Sequence, residues 1–253
     1  MHKTVRTPVA NLYRSHSFMS DQVTQALMGE TVEILDAHES WFKVRQWDDY
    51  ESWINGFYLM DAGHSSLDTY FFDRHTSQLI CDDGSEIYLP FGVELPIEQR
   101  NENRVTLLLP WGGRAESVLP PEKKIENRVE QLIVNARKFN GVQYQWGGIS
   151  TFGCDCSGFV QTIFKSVGIK LPRDSHQQFD DSQKNDIDDA IKGDLLFFAE
   201  NDKIDHVAIS LGESKIIHCS GFVKEESLKS TDSDYNAKLN TNFYGAMSVK
   251  GLI

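Results

Sequence analysis

The chain carries one cysteine whose surroundings suit a nucleophile. Cys156 lies in the stretch WGGISTFGCDCSGFV, from Trp146 to Val160, where an apolar run with helical spacing begins. A thiol in the first turn of a helix can have its pKa lowered by the partial positive charge of the helix N-terminus, which favours the reactive thiolate. The sequence therefore predicts that Cys156 is a catalytic nucleophile with a lowered pKa.

A helix must hold this cysteine, and the following residues predict one. Apolar side chains recur on one helical face, with Gly168 placed as the C-terminal stop, at Phe159, Val160, Ile163, Phe164 and Val167. Glycines in and just before its first turn give a backbone that can turn tightly and approach a ligand closely; they are Gly147, Gly148, Gly153 and Gly158.

A cysteine nucleophile needs a base, and the base needs a group that orients it. His206 begins the apolar run HVAISLG, and His218 lies inside the next run, KIIHCSG. Both can serve one site only if they share a face of a sheet. A two-residue loop at residues 213–214 would leave them on opposite faces. We therefore predict an odd-numbered loop or a compensating bulge that puts His218 opposite Ala208.

Zinc binding is the alternative chemistry for this set of side chains. Enough ligands for a tetrahedral site are present in Cys154, Cys156, His206, His218 and Cys219. However, the chain has no CxxC pair and no HExxH helix, which are the spacings typical of zinc sites. We therefore predict no metal and no cofactor, and we interpret Cys154 and Cys219 as packing residues.

The motifs of the C-terminal half occur in the order of a known family. The strings YQWGG, DCSGF, PRDS and HVAI, followed by a second histidine, resemble the NlpC-type cysteine peptidases, which cut bacterial cell-wall peptides. The resemblance covers residues 122–253 and implies an α+β, papain-like domain with helices against an antiparallel sheet. It also implies that Cys156, His206 and His218 are the nucleophile, the base and the orienting residue.

The N-terminal half predicts short strands and turns. TVEIL, WFKVRQW and SWINGFYL, with a polar turn at Asp48 and Asp49, resemble the bacterial SH3-like domains that accompany NlpC-type peptidases. Apolar runs and turn signals continue to a stiff linker at Pro120 and Pro121, which favours a second, more divergent barrel. The predicted domains are two all-β SH3-like barrels at 1–62 and 63–121, and the peptidase at 122–253.

The resemblance also implies a substrate. Enzymes with SH3-like domains ahead of the peptidase are similar to γ-D-glutamyl-L-diamino acid endopeptidases, which require a free L-alanine amine. It implies that Tyr144 binds substrate and stabilises the oxyanion, and that the pocket is lined by Asp155, Ser157, Asp174 and Ser175. Asp174 is our candidate for the amine, because a desolvated cation must be paired.

Two aromatic residues have alternative roles in this scheme. Trp146 is interpreted as either a substrate contact or a packing residue. From the first barrel, which would close one end of the cleft, Tyr50 is predicted to touch the substrate amine, with Asp21 as a second candidate. A tyrosine that packs on its own barrel is the alternative for Tyr50.

Bulk properties limit the partners. The 253 residues are 40% hydrophobic, as in ordinary globular proteins, and the net charge of −12 argues against nucleic-acid or anionic-membrane binding. The N-terminal residues contain no long apolar segment, which predicts a cytoplasmic protein, or a periplasmic or exported one if a signal peptide was removed. We expect a monomer acting on a murein tri- or tetrapeptide.

The free-amine requirement points to peptides already released from the wall, and so to recycling or turnover. Two other classes remain open from sequence. The same Cys/His core serves amidases and acyltransferases, and the barrels could instead anchor an inactive domain to the wall. The complete set of nucleophile, base and orienting residue argues against the inactive protein.

Overall fold

The computed structural model describes residues 1–62, 67–119, 127–180, 184–186 and 190–252. The chain forms two compact units, Met1–Lys124 and Ile125–Ile253. The first contains a seven-stranded and a six-stranded sheet, and the second a six-stranded sheet and a two-stranded ribbon. None of the described helices is both long enough and apolar enough to cross a bilayer.

The first sheet is antiparallel throughout. Its strands are β1 (His2–Val5), β2 (Val9–Tyr13), β3 (Gln22–Leu27), β4 (Thr31–His38), β5 (Trp41–Arg45), β6 (Glu51–Asn55) and β7 (Leu59–Asp61). They lie in the order β3-β2-β6-β5-β4-β1-β7, and a 3-10 helix, Gly56–Tyr58, joins β6 to β7. The predicted turn between β5 and β6 is confirmed, with Asp49 in the left-handed region at φ 64°.

Alternation along these strands builds the core of the first sheet, because every second side chain points to the same face. The fully or nearly buried members of that core are Val5, Ala10, Leu12, Ala26, Val32, Val44, Ile54 and Leu59.

The second sheet is a separate antiparallel sheet in the same unit. Its strands are β8 (Thr69–Phe71), β9 (Thr76–Cys81), β10 (Glu86–Pro90), β11 (Glu94–Arg100), β12 (Arg104–Leu108) and β13 (Arg114–Val118), in the order β10-β9-β13-β12-β11-β8. Alternate residues of β9 are buried, as expected for a strand with one face on a core. The predicted linker at Pro120 and Pro121 lies outside the described residues.

The second unit packs helices against an antiparallel sheet. Its helices are α1 (Arg128–Arg137), α2 (Cys156–Lys165), α3 (Ser175–Gln178) and α4 (Ala237–Asn242). Its strands are β14 (Ile149–Ser150), β15 (Gly153–Cys154), β16 (Lys184–Asn185), β17 (Leu195–Glu200), β18 (Lys203–Gly212), β19 (Lys215–Ser220), β20 (Phe222–Ser227) and β21 (Phe243–Met247). The large sheet has the order β16-β21-β17-β18-β19-β20, and β14 pairs with β15.

The sheet order corrects one expectation. The apolar runs DLLFFA, HVAISLG, KIIHCSG and YGAMSVKGLI predict four consecutive strands of an antiparallel meander, in which the run beginning at Tyr244 directly follows the strand of His218. The structure inserts β20 there, and β21 instead pairs with the far side of β17, after α4. The segment FVKEES was missed because only Phe222 and Val223 are apolar, so its alternation signal is weak.

Helix α2 follows the predicted pattern. Its buried apolar residues include Phe159, Val160, Ile163 and Phe164. The helix ends at Lys165, a few residues before the predicted stop at Gly168, which has φ 80°. Phe159 contacts Phe139, just beyond α1, at a ring-centroid distance of 5.5 Å, so α1 supports the helix that carries the cysteine.

The first turn of α2 packs directly on the preceding loop. A Cβ atom at Gly158 would clash with the carbonyl oxygen of Gly148, and a Cβ atom at Gly148 would clash with the carbonyl oxygen of Gly153. Both glycines are therefore needed for the close approach of two backbone segments. This approach fixes the position from which Cys156 projects.

We expect Gly158→Ala to lower the free energy of unfolding by about 1–3 kcal/mol. The carbonyl oxygen of Gly148 that the new Cβ atom meets is part of the backbone and cannot move without its neighbours. Lys165→Ala, at the other end of the same helix, is the matched control and should change it by less than about 0.5 kcal/mol. Urea unfolding of both variants checks this. Equal effects of the two substitutions would contradict the packing argument.

Candidate active site

The cysteine is the first residue of α2, as predicted. Asp155 is the N-cap residue, and its carboxylate accepts a hydrogen bond from the Gly158 N–H at 2.7 Å. The other carboxylate oxygen accepts from the Gly147 N–H at 2.8 Å. One buried side chain thus joins the glycine loop to the helix start and fixes the backbone of Cys156 between them.

A buried arginine neutralises that carboxylate. Arg173, which is 2% exposed, donates to both oxygens of Asp155 at 3.1 and 2.6 Å and to the Ser157 hydroxyl at 2.9 Å. Burying the pair costs desolvation, and the bidentate geometry offsets that cost. The sequence analysis used Asp174 and Ser175 of the PRDS string and missed Arg173. The arginine could have been found because it belongs to the same string, which carries part of the family resemblance.

Asp155 and Ser157, predicted to line the substrate pocket, are both buried. Their polar atoms are engaged with Arg173 and with the first turn of α2. The geometry gives them a positioning role, and the predicted substrate contacts of these two residues stay predictions.

The expected lowering of the Cys156 pKa is wrong in direction. Burial raises the pKa of this thiol to about 12, and the negative charge of Asp155 adds to the effect. Hydrogen bonds from the Val207 and Ser157 N–H groups and the charge of Arg173 act in the opposite direction but are weaker. Desolvation therefore outweighs these N–H donors and the charge of Arg173, and the resting side chain is a thiol.

The thiol lies beside the strand that carries His206. Its S–H donates to the Asp205 carbonyl at 3.9 Å, and its sulfur accepts from the Val207 N–H. Asp205 is an extra residue in β18, because Phe198 pairs with His206 while Ala199 pairs with Ile204. Bulges often re-aim groups next to active sites, and this one directs a carbonyl at the sulfur.

The two histidines lie on one face of the sheet and touch each other. Ile209 pairs with Ile217, a register that puts His218 opposite Ala208, and the ring nitrogens His206 Nε2 and His218 Nδ1 are 2.8 Å apart. The loop between β18 and β19 has two residues, 213–214. Ser210 pairs with Ile216 and Gly212 pairs with Lys215, so Leu211 is an extra residue that forms a bulge in β18. The predicted compensating bulge is confirmed.

Behind the histidines lies a carboxylate that sequence reasoning missed. His218, with 0% exposure, contacts Glu226 Oε2 through its Nε2 at 2.8 Å. The same Oε2 accepts from Asn236 Nδ2 at 2.7 Å, and Lys224 Nζ lies 3.1 Å from the other oxygen. Glu226 belongs to β20, the strand that the sequence did not predict, so no motif indicated it.

Both histidines are neutral in the resting site. Burial, followed by the neighbouring His218, lowers the pKa of His206 to about 3. Burial also lowers the pKa of His218, although the hydrogen bond to Glu226 opposes the shift. The resting site thus holds a neutral thiol and two neutral imidazoles.

The predicted aromatic residues have different surroundings. Tyr144 is half-buried, and burial followed by the charges of Cys156 and Asp155 raises its pKa, which keeps the phenol protonated and able to donate. Its N–H donates to the Gly221 carbonyl at 2.9 Å. Trp146 is 64% exposed, so its side chain is mainly in contact with solvent and is not a core residue.

The PRDS residues frame the start of α3. Asp174 is half-buried at the N-cap position, where its N–H donates to Gln177 Oε1 at 3.4 Å, and Ser175 is buried in the first turn. Tyr50 lies in the first unit, just before β6, and is half-buried with its N–H bonded to Asp48 Oδ1 at 3.2 Å. The substrate contacts of Asp174, Ser175 and Tyr50 stay predictions.

The remaining cysteines near the site are buried. Cys154 and Cys219, interpreted from sequence as packing residues, both have 0% exposure, and their sulfur atoms are 3.7 Å apart. Across the residues that the structure describes, no group of three or more His, Cys, Asp or Glu side chains is arranged to hold a metal ion.

These contacts suit nucleophilic acyl transfer. A thiol at a helix N-terminus, a neutral imidazole on the adjacent strand and a second imidazole that touches the first are the parts that covalent catalysis by cysteine requires.

Comparison with known sequences gives two matches in different parts of the chain. The sequence model of the NlpC/P60 family matches residues 141–243, and that of the bacterial dipeptidyl-peptidase SH3 domain matches residues 12–56. The first match includes Cys156, His206 and His218, and the second falls inside the first sheet.

Two curated relatives are similar over most of the chain. The γ-D-glutamyl-L-lysine dipeptidyl-peptidase of Bacillus subtilis is 30% identical over 233 residues, which cover 85% of this chain and 78% of the relative. The Bacillus cereus protein of the same name is 29% identical over 220 residues, covering 77% of this chain and 66% of that protein. The chain therefore spans about two thirds of the Bacillus cereus relative.

A solved structure shares the whole fold. The crystal structure of an NlpC/P60 family protein from Bacillus cereus has a TM-score of 0.84 at 23% identity, covering 98% of this chain and 99% of that one. The predicted fold class is confirmed: a papain-like α+β domain preceded by SH3-like all-β structure.

The raised pKa of Cys156 predicts how its ionisation depends on pH. Because the thiol pKa is raised to about 12, the thiolate fraction should stay below about one hundredth up to about pH 10. The ultraviolet absorbance of the thiolate, taken as the difference from Cys156→Ala, measures this fraction. A titration that is complete below about pH 8 would show a preformed thiolate and contradict this interpretation.

Proposed function

Because the chain belongs to the NlpC/P60 family, we propose that it is a cysteine peptidase that cuts the γ-D-glutamyl–diamino acid bond of short murein peptides. That it is a cell-wall peptidase follows from the family and from relatives that are themselves peptidases. The names of those relatives support the particular bond. The observation that carries the cysteine mechanism is the contact of His206 with His218 on the strands beside Cys156.

The acylation step uses the neutral pair of thiol and imidazole. The sulfur of Cys156 attacks the γ-carbonyl carbon of D-glutamate while His206 takes the thiol proton. The Cys156 N–H and the protonated Tyr144 phenol stabilise the oxyanion, a role for which the raised pKa of that phenol is suitable. His206 then gives its proton to the departing amine of the diamino acid, which leaves a thioester.

Deacylation reverses these roles. A water molecule attacks the thioester carbonyl as His206 takes one of its protons. Collapse of the tetrahedral intermediate expels the sulfur, which recovers the proton from His206, and releases L-Ala-D-Glu as the free acid. His218 contacts the far nitrogen of His206 and holds the ring in place through both steps.

A free amine at the start of the substrate would distinguish released peptides from intact wall, in which the alanine is amide-linked to the sugar. Asp174, half-buried at the start of α3, is the candidate partner for that ammonium. We therefore propose a role in the recycling or turnover of wall peptides.

The test uses L-Ala-γ-D-Glu-meso-diaminopimelate, its L-lysine counterpart and their N-acetylated forms, with products identified by mass spectrometry. We expect L-Ala-D-Glu and the free diamino acid from the free peptides. Acetylated forms should react about 10–100-fold more slowly, because one hydrogen-bonded charge is lost. The ratio between the two free peptides measures the preference for lysine or diaminopimelate.

Cys156→Ala should bind the peptide without cutting it, and Cys81→Ala, a buried cysteine in the second sheet, is the control that should keep full activity. Cleavage by Cys156→Ala would refute the mechanism. Loss of the acetyl group from the N-acetylated forms instead would assign an amidase, and an acyl-transfer product would assign an acyltransferase. Retention on purified sacculi with no hydrolysis would assign a wall-binding protein.

A further inference from the structure

We propose that Glu226 and Asn236 are positioning residues that set the tautomer of His206 through His218. They lie on β20 and immediately before α4, outside the strings that carry the catalytic residues. The inference deepens the proposed function, because it takes His206 as the base of that reaction. The direction of each hydrogen bond in this series follows from a backbone N–H of α4, which can only donate.

The first bond fixes the amide of Asn236. This residue is the N-cap of α4, and its Oδ1 accepts from the Leu239 N–H at 2.9 Å. Since Oδ1 is held by a backbone donor, Nδ2 must face the other way. It donates to Glu226 Oε2 at 2.7 Å. The helix cap therefore presents a donor to Glu226.

The second step is the charge of Glu226. Burial alone would raise its pKa, but hydrogen bonds from Asn236, Lys224 and His218 lower it, so the side chain is a carboxylate near neutral pH. A carboxylate has no hydrogen to donate. The 2.8 Å contact with His218 must then be a bond in which His218 Nε2–H donates.

The direction of this hydrogen bond determines the tautomer of His206. His218 is neutral and carries one ring hydrogen, which Nε2 uses, so its Nδ1 has only a lone pair. That lone pair must accept from His206 Nε2–H across 2.8 Å. The hydrogen of neutral His206 is thereby placed on Nε2, and the lone pair that can take the thiol proton is placed on Nδ1.

Loss of the carboxylate removes the constraint. His218 can then carry its hydrogen on Nδ1, which makes His206 Nε2 the acceptor and places a hydrogen on His206 Nδ1. A nitrogen that already carries hydrogen cannot accept a proton from Cys156, so that tautomer has no base for the nucleophile. Lys224 and Lys238 are the cations whose charges also act on His206, and neither selects a tautomer.

The test compares variants of the full chain in two assays. Glu226→Met keeps the approximate shape of the side chain and removes both acceptor oxygens, and we expect kcat to fall about 10–100-fold with KM within about twofold. Glutamine would not serve, because its amide oxygen, facing Asn236, could still accept from His218. Alkylation of Cys156 by iodoacetamide near neutral pH should fall by about tenfold, since it also needs a proton acceptor. Asn236→Asp keeps a helix cap but loses the donor to Glu226, and should change both quantities in the same direction.

Glu225→Met is the matched control on the same strand. Its carboxylate bonds to Arg137 at 2.8 Å and not to a histidine, so we expect both assays to be unchanged. Circular dichroism and melting temperature identify variants that fail to fold. If Glu226→Met fails to fold, Asn236→Asp decides the matter.

Two results would overturn the proposal. One is a kcat and an alkylation rate for Glu226→Met within about twofold of the unsubstituted protein. The other is a fall in kcat that is proportional to the fall in melting temperature across the variants, with the alkylation rate unchanged. That result would show that Glu226 acts only through the stability of the fold. If the unsubstituted protein cuts no murein peptide and yet alkylation depends on Glu226 as expected, the proposed function fails and the positioning role stands.

Discussion

The hairpin of β18 and β19 turns on two residues, Glu213 and Ser214, which have φ values of 54° and 63°. Such a turn matches the natural twist of paired strands, and by itself it would have placed the two histidines on opposite faces. The extra residue Leu211 shifts the register by one position and restores a common face. The contact of His206 with His218, and every bond behind it, depends on this bulge.

Burial decides the charge state of the site. Hydrogen bonds from the Val207 and Ser157 N–H groups and the charge of Arg173 favour a thiolate at Cys156, but desolvation and the charge of Asp155 outweigh them. The same desolvation keeps His206 and His218 neutral. The ion pair of Asp155 with Arg173 lies next to the nucleophile and holds the backbone in place. The reacting groups are therefore neutral until a substrate arrives.

What could be predicted from the sequence was local. The nucleophile helix is encoded by consecutive apolar positions around Cys156, and the paired strands of His206 and His218 by short apolar runs, so both were found. Arg173 was missed because its partner, Asp155, lies 18 positions away and nothing in the sequence shows the pairing. Glu226 was missed because most residues of β20 are polar, so that the sequence of this strand resembles that of a loop. The sign of the Cys156 pKa shift could not be predicted, since it depends on how completely the folded domain covers the sulfur.

The central claim is that the resting site holds a neutral thiol and two neutral imidazoles whose hydrogens are both on Nε2. Long-range ¹H–¹⁵N correlation spectra of histidine-labelled protein near neutral pH test it directly. For His206 and His218 we expect one protonated and one unprotonated ring nitrogen each, with the hydrogen on Nε2. Two protonated nitrogens on His206, the signature of an imidazolium paired with a thiolate, would contradict the account.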